Sequence, residues 1–215
     1  MKQILSETDR DHLDKLIAEA ELQTNAQIVL ATVKRSDNYA EIPWKAFAFG
    51  ASIAGLVVFL LDLVKVWETG TLILFPVAII LATGTLFVFL TILFQGFARL
   101  FLSDGRRETE TMQYAESLFL SRELFATIDR RGILLLISQF ERQVIILPDR
   151  GVRDRLSIEV MDGIISKMTQ YLRKDEVRNA METGLEELIA ELSPMTSSGQ
   201  GINELSNKII EEEGV

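Results

Sequence analysis

Apolar residues follow three different periodicities along this 215-residue chain, and each predicts a different element. From Ser6 to about Thr24, Leu13, Leu16, Ile17 and Ala20 recur at helical spacing and predict one amphipathic helix. Ser6 is its expected N-cap, with Asp9 three positions on to favour the helix dipole. After Thr24-Asn25 breaks the pattern, the β-branched and apolar run Gln27-Ile28-Val29-Leu30-Ala31-Thr32-Val33 predicts a strand. Lys34 to Pro43 is a polar connector, after which polarity almost disappears. Ala46 to Leu61 is uncharged, and so are the 30 residues Thr69 to Ala98. At about 1.5 Å per residue the longer stretch more than covers a hydrocarbon core of roughly 30 Å. A helix apolar on every side is rarely needed in a soluble domain. Two membrane spans are expected, Trp44–Leu63 and Thr71–Phe94, joined by a short turn. Trp44 and Trp67 lie near the two ends of the first, where indole rings favour the interface. Ala46, Gly50 and Ala54, four apart, give that helix one small face suited to close helix approach, although small residues are also common in spans generally. Pro76 falls in the opening turns of the second span, where its missing N–H costs little.

Ordinary patterning returns after the spans. Met112, Ala115, Leu118 and Phe119 mark one face of a helix over Arg107–Phe125. Gly132 opens the continuous apolar run Ile133–Ser138, the signature of a strand covered on both faces. Gln139-Phe140-Glu141-Arg142 is the expected hairpin turn, and Gln143–Leu147 the return strand, stopped by Pro148. Two amphipathic helices follow, over Ser157–Tyr171 and Asp175–Leu192. The Ser/Gly/Thr-rich linker from Pro194 to Gly201 leads to an acidic end. The expected organisation is 1–42 and 99–193 as two parts of one α/β domain, 43–98 as an inserted transmembrane hairpin, and 194–215 as a flexible acidic tail. Antiparallel spans return the chain to the same membrane face, so the insertion leaves the domain able to close.

Charge refines this picture. The chain is 48% hydrophobic yet 25% charged, figures that coexist only because the charge lies mainly outside residues 41–98. A formal net charge of −9 argues against broad nucleic-acid binding, which needs a basic surface. The absence of Cys excludes disulfides, thiolate zinc sites and cysteine nucleophiles, and the lone His12 excludes a multi-histidine metal site. The first residues lack the apolar core of a signal peptide. Lys34, Arg35 and Lys45 precede the spans and Arg99, Arg106 and Arg107 follow them, whereas the turn between holds only Lys65, beside Asp62 and Glu68. The positive-inside rule then predicts a two-span protein of the cell membrane, with the soluble domain and both termini in the cytoplasm.

Three segments carry a family resemblance: Leu5-Ser6 with Thr24–Leu30; Asp129–Ser138; and Glu141–Val152. Together they resemble the TPM domain family, and more closely its bacterial membrane proteins with a helical hairpin inside the domain; Asn203-Glu204-Leu205 is similar to that subgroup as well. The resemblance implies a mixed sheet flanked by helices, an α/β fold of TPM type interrupted here by the two-helix hairpin. In some soluble relatives it also implies an acidic loop cluster that binds divalent metal, and phosphatase activity. This chain departs from that pattern. Arg130-Arg131-Gly132 stands where relatives often carry Asp-Asn-Gly, and Arg153-Asp154-Arg155-Leu156-Ser157 does not clearly match the acidic position after the glycine loop. Cations at a metal position oppose metal binding.

Asp129, Glu141 and Asp149 all fall near predicted strand ends. They are candidate oxygen ligands for Ca²⁺ or Mg²⁺, or else solvated turn carboxylates paired with Arg130, Arg131, Arg142 or Arg150. Glu141, Asp149, Arg150 and Gly151 are the candidate binding residues, Gly151 being expected to supply a positive φ after Pro148, or simply to connect strand to helix. No catalytic residue is singled out, and His12, without a nucleophile beside it in the sequence, reads as a surface or capping residue. Two functions remain open: a non-enzymatic binding or scaffold module at the membrane, with a membrane or membrane-associated protein as partner, and a divalent-metal-dependent phosphohydrolase.

Overall fold

A computed structural model describes residues 5–64, 74–127, 129–193 and 208–214. In chain order the elements are α1 (Glu7–Thr24), β1 (Gln27–Arg35), α2 (Glu41–Leu63), α3 (Leu74–Leu93), α4 (Gln95–Arg99), α5 (Asp104–Ser121), a 3-10 turn (Leu124–Ala126), β2 (Gly132–Ser138), β3 (Gln143–Pro148), α6 (Arg150–Arg153), α7 (Ile158–Leu172), α8 (Val177–Leu192) and β4 (Ile210–Gly214). They form two units, one from Met1–Asp37 with Arg107–Val215 and one from Asn38–Arg106.

The first unit is an α/β sandwich around a mixed sheet of order β3-β2-β1-β4. β1 runs parallel to β2 and to β4, and β2 and β3 form an antiparallel hairpin. Both central strands are apolar on both faces because both faces are covered. Ile28, Leu30, Ile133, Leu135 and Ile137 point into one cluster with Leu13 and Ile17 of α1, Met168 of α7 and Leu185 and Leu188 of α8. The alternate residues Val29, Ala31, Val33, Leu134 and Leu136 meet Ala115 and Leu118 of α5 and Leu124. This alternation fixes the register, since a one-residue slip would exchange the two clusters. The Ser6 cap is a full capping box: its hydroxyl accepts the Asp9 N–H at 3.1 Å and the Asp9 carboxylate reaches back. Ser157 caps α7 without a reciprocal partner, its hydroxyl accepting the Val160 N–H.

The second unit is a pair of antiparallel helices, each long and apolar enough to cross a membrane. Within the chain α2 buries only Ile42, Ala46, Gly50 and Ala54, and α3 only Gly84 and Thr91. The small face of α2 meets aromatic rings: a Cβ at Gly50 would lie 2.7 Å from the Phe87 ring, and one at Gly84 would lie 2.8 Å from that of Phe47. Each glycine therefore seats a phenylalanine of the opposite helix, the close approach that small residues permit. Phe49, Phe87, Phe97 and Phe101 continue the contact in tilted and edge-to-face ring pairs. At the end where the pair begins and returns, Arg106 meets Glu41 at 3.3 Å and Lys45 donates to the Phe101 carbonyl. The outward faces of both helices carry exposed Trp44, Leu56, Phe59, Leu60, Leu81, Leu86, Phe89 and Ile92.

Two expectations need correction. The end of the chain was expected to be a flexible tail outside the fold, but Ile210–Gly214 is the fourth strand. Its three glutamates carry no hydrophobic signal because ion pairs and hydrogen bonds from other elements hold it. Of the two readings of Gly151, the positive φ fails and the strand-to-helix connection holds: it lies inside α6, just after β3, and its φ is not positive. Glycine is needed there for room: a Cβ would press on the carbonyl oxygens of Asp129 and Arg130, the latter accepting the Gly151 N–H at 2.8 Å. Trp67, Lys65, Glu68, the linker from Pro194 and Asn203-Glu204-Leu205 lie outside the described residues.

Candidate functional site

The sequence candidates separate to opposite ends of the β2–β3 hairpin. Glu141 sits in the turn after β2, whereas Asp149 follows β3 and its N–H bonds the Gly132 carbonyl at the start of β2. Seven residues of strand at about 3.4 Å each put roughly 20 Å between the two ends. No single ion can be shared across that distance.

At the turn, Glu141 is 1% exposed and so is no solvated carboxylate. One oxygen accepts the Ser36 N–H at 2.9 Å and the other accepts the Ser138 hydroxyl. The Ser36 hydroxyl donates to Ser138 Oγ at 2.9 Å and lies 3.4 Å from Thr111 Oγ1. This polar cluster, buried at the ends of β1 and β2 and on α5, ties the hairpin turn to the end of the central strand. The Arg35 guanidinium stacks over Phe140 at 4.2 Å beside it. Arg142, the expected partner of Glu141, instead adopts a positive φ of 53° and reaches Asp175 at 3.2 Å. The sequence showed the acid and its arginine neighbour; it did not show that Ser36, Thr111 and Ser138 would converge on it.

At the other end, Asp149 is 5% exposed and does two jobs. It caps α6, accepting the Arg150 N–H at 2.7 Å. It also takes a two-pronged contact from Arg130, Nε at 2.7 Å and Nη2 at 3.0 Å. Arg130 makes that reach from a left-handed backbone, φ 56°, on the loop between the 3-10 turn and β2. Asp129 is exposed and pairs with Arg131 at 3.4 Å, whose N–H the Thr127 hydroxyl accepts. Both Asp149 oxygens are therefore engaged by cationic or backbone donors, and a divalent ion would have to displace a guanidinium. The donor set does not fit a resident Ca²⁺ or Mg²⁺. Among the described residues, no three His, Asp or Glu side chains gather in a metal-binding arrangement. Arg150, Gly151, Arg153 and Arg155 are exposed on and after α6, so this end of the sheet presents arginines around a buried, neutralised carboxylate.

Residues 100–191 match the model of the TPM domain family, a span from just before α5 to the end of α8. The fold is similar to the NMR structure of the BA42 protein from the psychrophilic bacterium Bizionia argentinensis, with a TM-score of 0.58 and 13% identity over 98% of this chain and 97% of that one. No functionally curated protein matches. The likeness to a TPM domain thus covers the segment that supplies α5, β2, β3 and the covering helices, while β1 and β4, which complete the sheet, lie outside it.

Proposed function

We propose that the protein is a membrane-anchored, non-enzymatic binding module whose TPM domain faces the cytoplasm and docks an acidic segment of a membrane-associated protein. The observation that carries the reading is the state of the Asp149 loop. Its carboxylate is occupied by Arg130 and the α6 backbone, while Arg150, Arg153 and Arg155 stay at the surface. A surface of exposed guanidinium groups favours carboxylate or phosphate recognition, whereas metal-assisted hydrolysis needs free oxygen ligands. The anchor rests on the apolar pair, whose exposed faces exceed what a monomer in water tolerates. The sidedness rests on the basic residues near its ends, with Lys45 and Arg106 brought to the same end of the pair.

Full-length protein in mild detergent tests this against the phosphohydrolase alternative. The expected result is no chelator-sensitive turnover of a generic phosphate ester and no calorimetric Ca²⁺ or Mg²⁺ binding, with a polyglutamate peptide bound and lost in Arg150→Glu/Arg153→Glu. Metal-dependent turnover abolished by Asp149→Ala overturns the reading.

A further inference from the structure

Strand β4 is seated on β1 by contacts from α1, from α5 and the turn after it, and from β1 itself. Glu211 receives Arg10 of α1 through two hydrogen bonds, 3.0 and 2.7 Å. Glu212 accepts the Tyr114 hydroxyl and lies 3.3 Å from Arg122. Glu213 pairs with Lys34 at 2.6 Å, and Asp14 accepts the Ile209 N–H at 3.2 Å. Pairing runs from Ala31 with Ile210 to Arg35 with Gly214. Gly214 has φ 85°, and a Cβ there would strike the Arg35 carbonyl, so the last seat takes glycine. The β1 edge thus selects two aliphatic residues, three acids and a glycine in order. Ile209 and Ile210 are only half-buried, each at the margin of a different apolar cluster. Removing the strand uncovers charge and backbone more than core.

We propose that this edge is an interaction surface between copies: the C-terminal strand of a second copy of the chain takes the β4 seat, and copies exchange strands. This chain itself carries the sequence that satisfies the seat, so a second copy is the occupant whose complementarity is known. Residues 194–207 link α8 to Lys208. Their extended reach of about 50 Å exceeds the radius of gyration of roughly 15 Å expected for such a domain. The exchanged and unexchanged forms make the same contacts, which is why strand swapping is a low-cost route to dimers.

The chain has no cysteine, so introduced thiols are specific reporters. Two differently tagged full-length populations, Lys34→Cys and Glu213→Cys, are mixed in mild detergent and treated with a short bismaleimide. Exchange predicts a cross-linked product bearing both tags, well above that of a collision control pairing Lys34→Cys with Glu159→Cys. The product accumulates faster at high salt, which weakens the exposed pairs. A product no more abundant than the control overturns the proposal. So does failure of the double variant Lys34→Cys/Glu213→Cys to close its own intramolecular link, since the seat would then lie elsewhere.

Discussion

Replacing Glu141 by Ala tests the buried polar cluster at its centre. The substitution removes the acceptor for the Ser36 N–H and for the Ser138 hydroxyl. The hydroxyl can turn toward Ser36 Oγ, 2.9 Å away, and recover part of its loss. The backbone N–H is fixed by β1 and cannot. A hydrogen bond to a charged group contributes about 1.5–3 kcal/mol, and a buried donor left alone costs about 1–3 kcal/mol, so with partial rescue the expected destabilisation is about 2–4 kcal/mol. Both tryptophans, Trp44 and Trp67, fall between residues 38 and 106 of the sequence, so fluorescence would report the wrong unit. Hydrogen exchange of the β2 amides, read by mass spectrometry on the full chain in detergent, reports the sheet itself. At about 1.4 kcal/mol per tenfold, exchange through unfolding should accelerate roughly 30- to 700-fold. Glu141→Gln keeps an acceptor for Ser36 and should lose only about 1 kcal/mol, roughly fivefold. An Ala variant exchanging within twofold of the parent would show that the cluster contributes nothing.

In the apolar pair, Gly84→Leu drives a side chain into the Phe47 ring and should destabilise the pair by about 1–3 kcal/mol, seen as a lower melting midpoint of Trp fluorescence in detergent. An unchanged midpoint would mean the helices do not pack on that face. The Asp9 carboxyl is held below its ordinary value by the Ser6 hydroxyl first, with Arg178 adding to it. A depressed carboxyl stabilises fully above its unfolded value, so the α1 contribution should persist at neutral pH and fade as pH drops below about 4. Asp9→Asn should flatten that part of the acid unfolding curve. The Tyr114 phenol is pushed above its ordinary range by burial first and by the Glu212 hydrogen bond second. A raised phenol stabilises fully below its unfolded value of about 10 and loses that contribution as pH rises. Deleting 208–215 should make Tyr114 ionise earlier, measured at 295 nm against a Tyr114→Phe reference.

The capping box, the two-faced β2 strand, the hairpin and the apolar pair could be read from local pattern because each depends on residues close in sequence. Ser6 and Asp9 are three apart, and the small face Ala46-Gly50-Ala54 repeats every four residues, so the structure needed only helical geometry to realise both. β4 was not legible in the same way. Glu211, Glu212 and Glu213 form a strand only because Arg10, Tyr114, Arg122 and Lys34 wait for them, and those partners are 90 to 201 residues away in the sequence. The candidate carboxylates show the same limit. Asp149 with Arg130 follows the expected acid-arginine pairing, but Glu141 does not, since the serines that bury it come from the far end of β1 and from the strand before it.

The apolar pair matters most, because anchoring and sidedness both rest on it. The direct test is labelling of single-cysteine variants in expressing cells with a membrane-impermeant maleimide, one cysteine at Lys65 between the two helices and one at Asp154 after α6. Lys65→Cys should be labelled on intact cells and Asp154→Cys only after permeabilisation. Labelling of both positions only after lysis, with the protein released from membranes by alkaline carbonate, would contradict it.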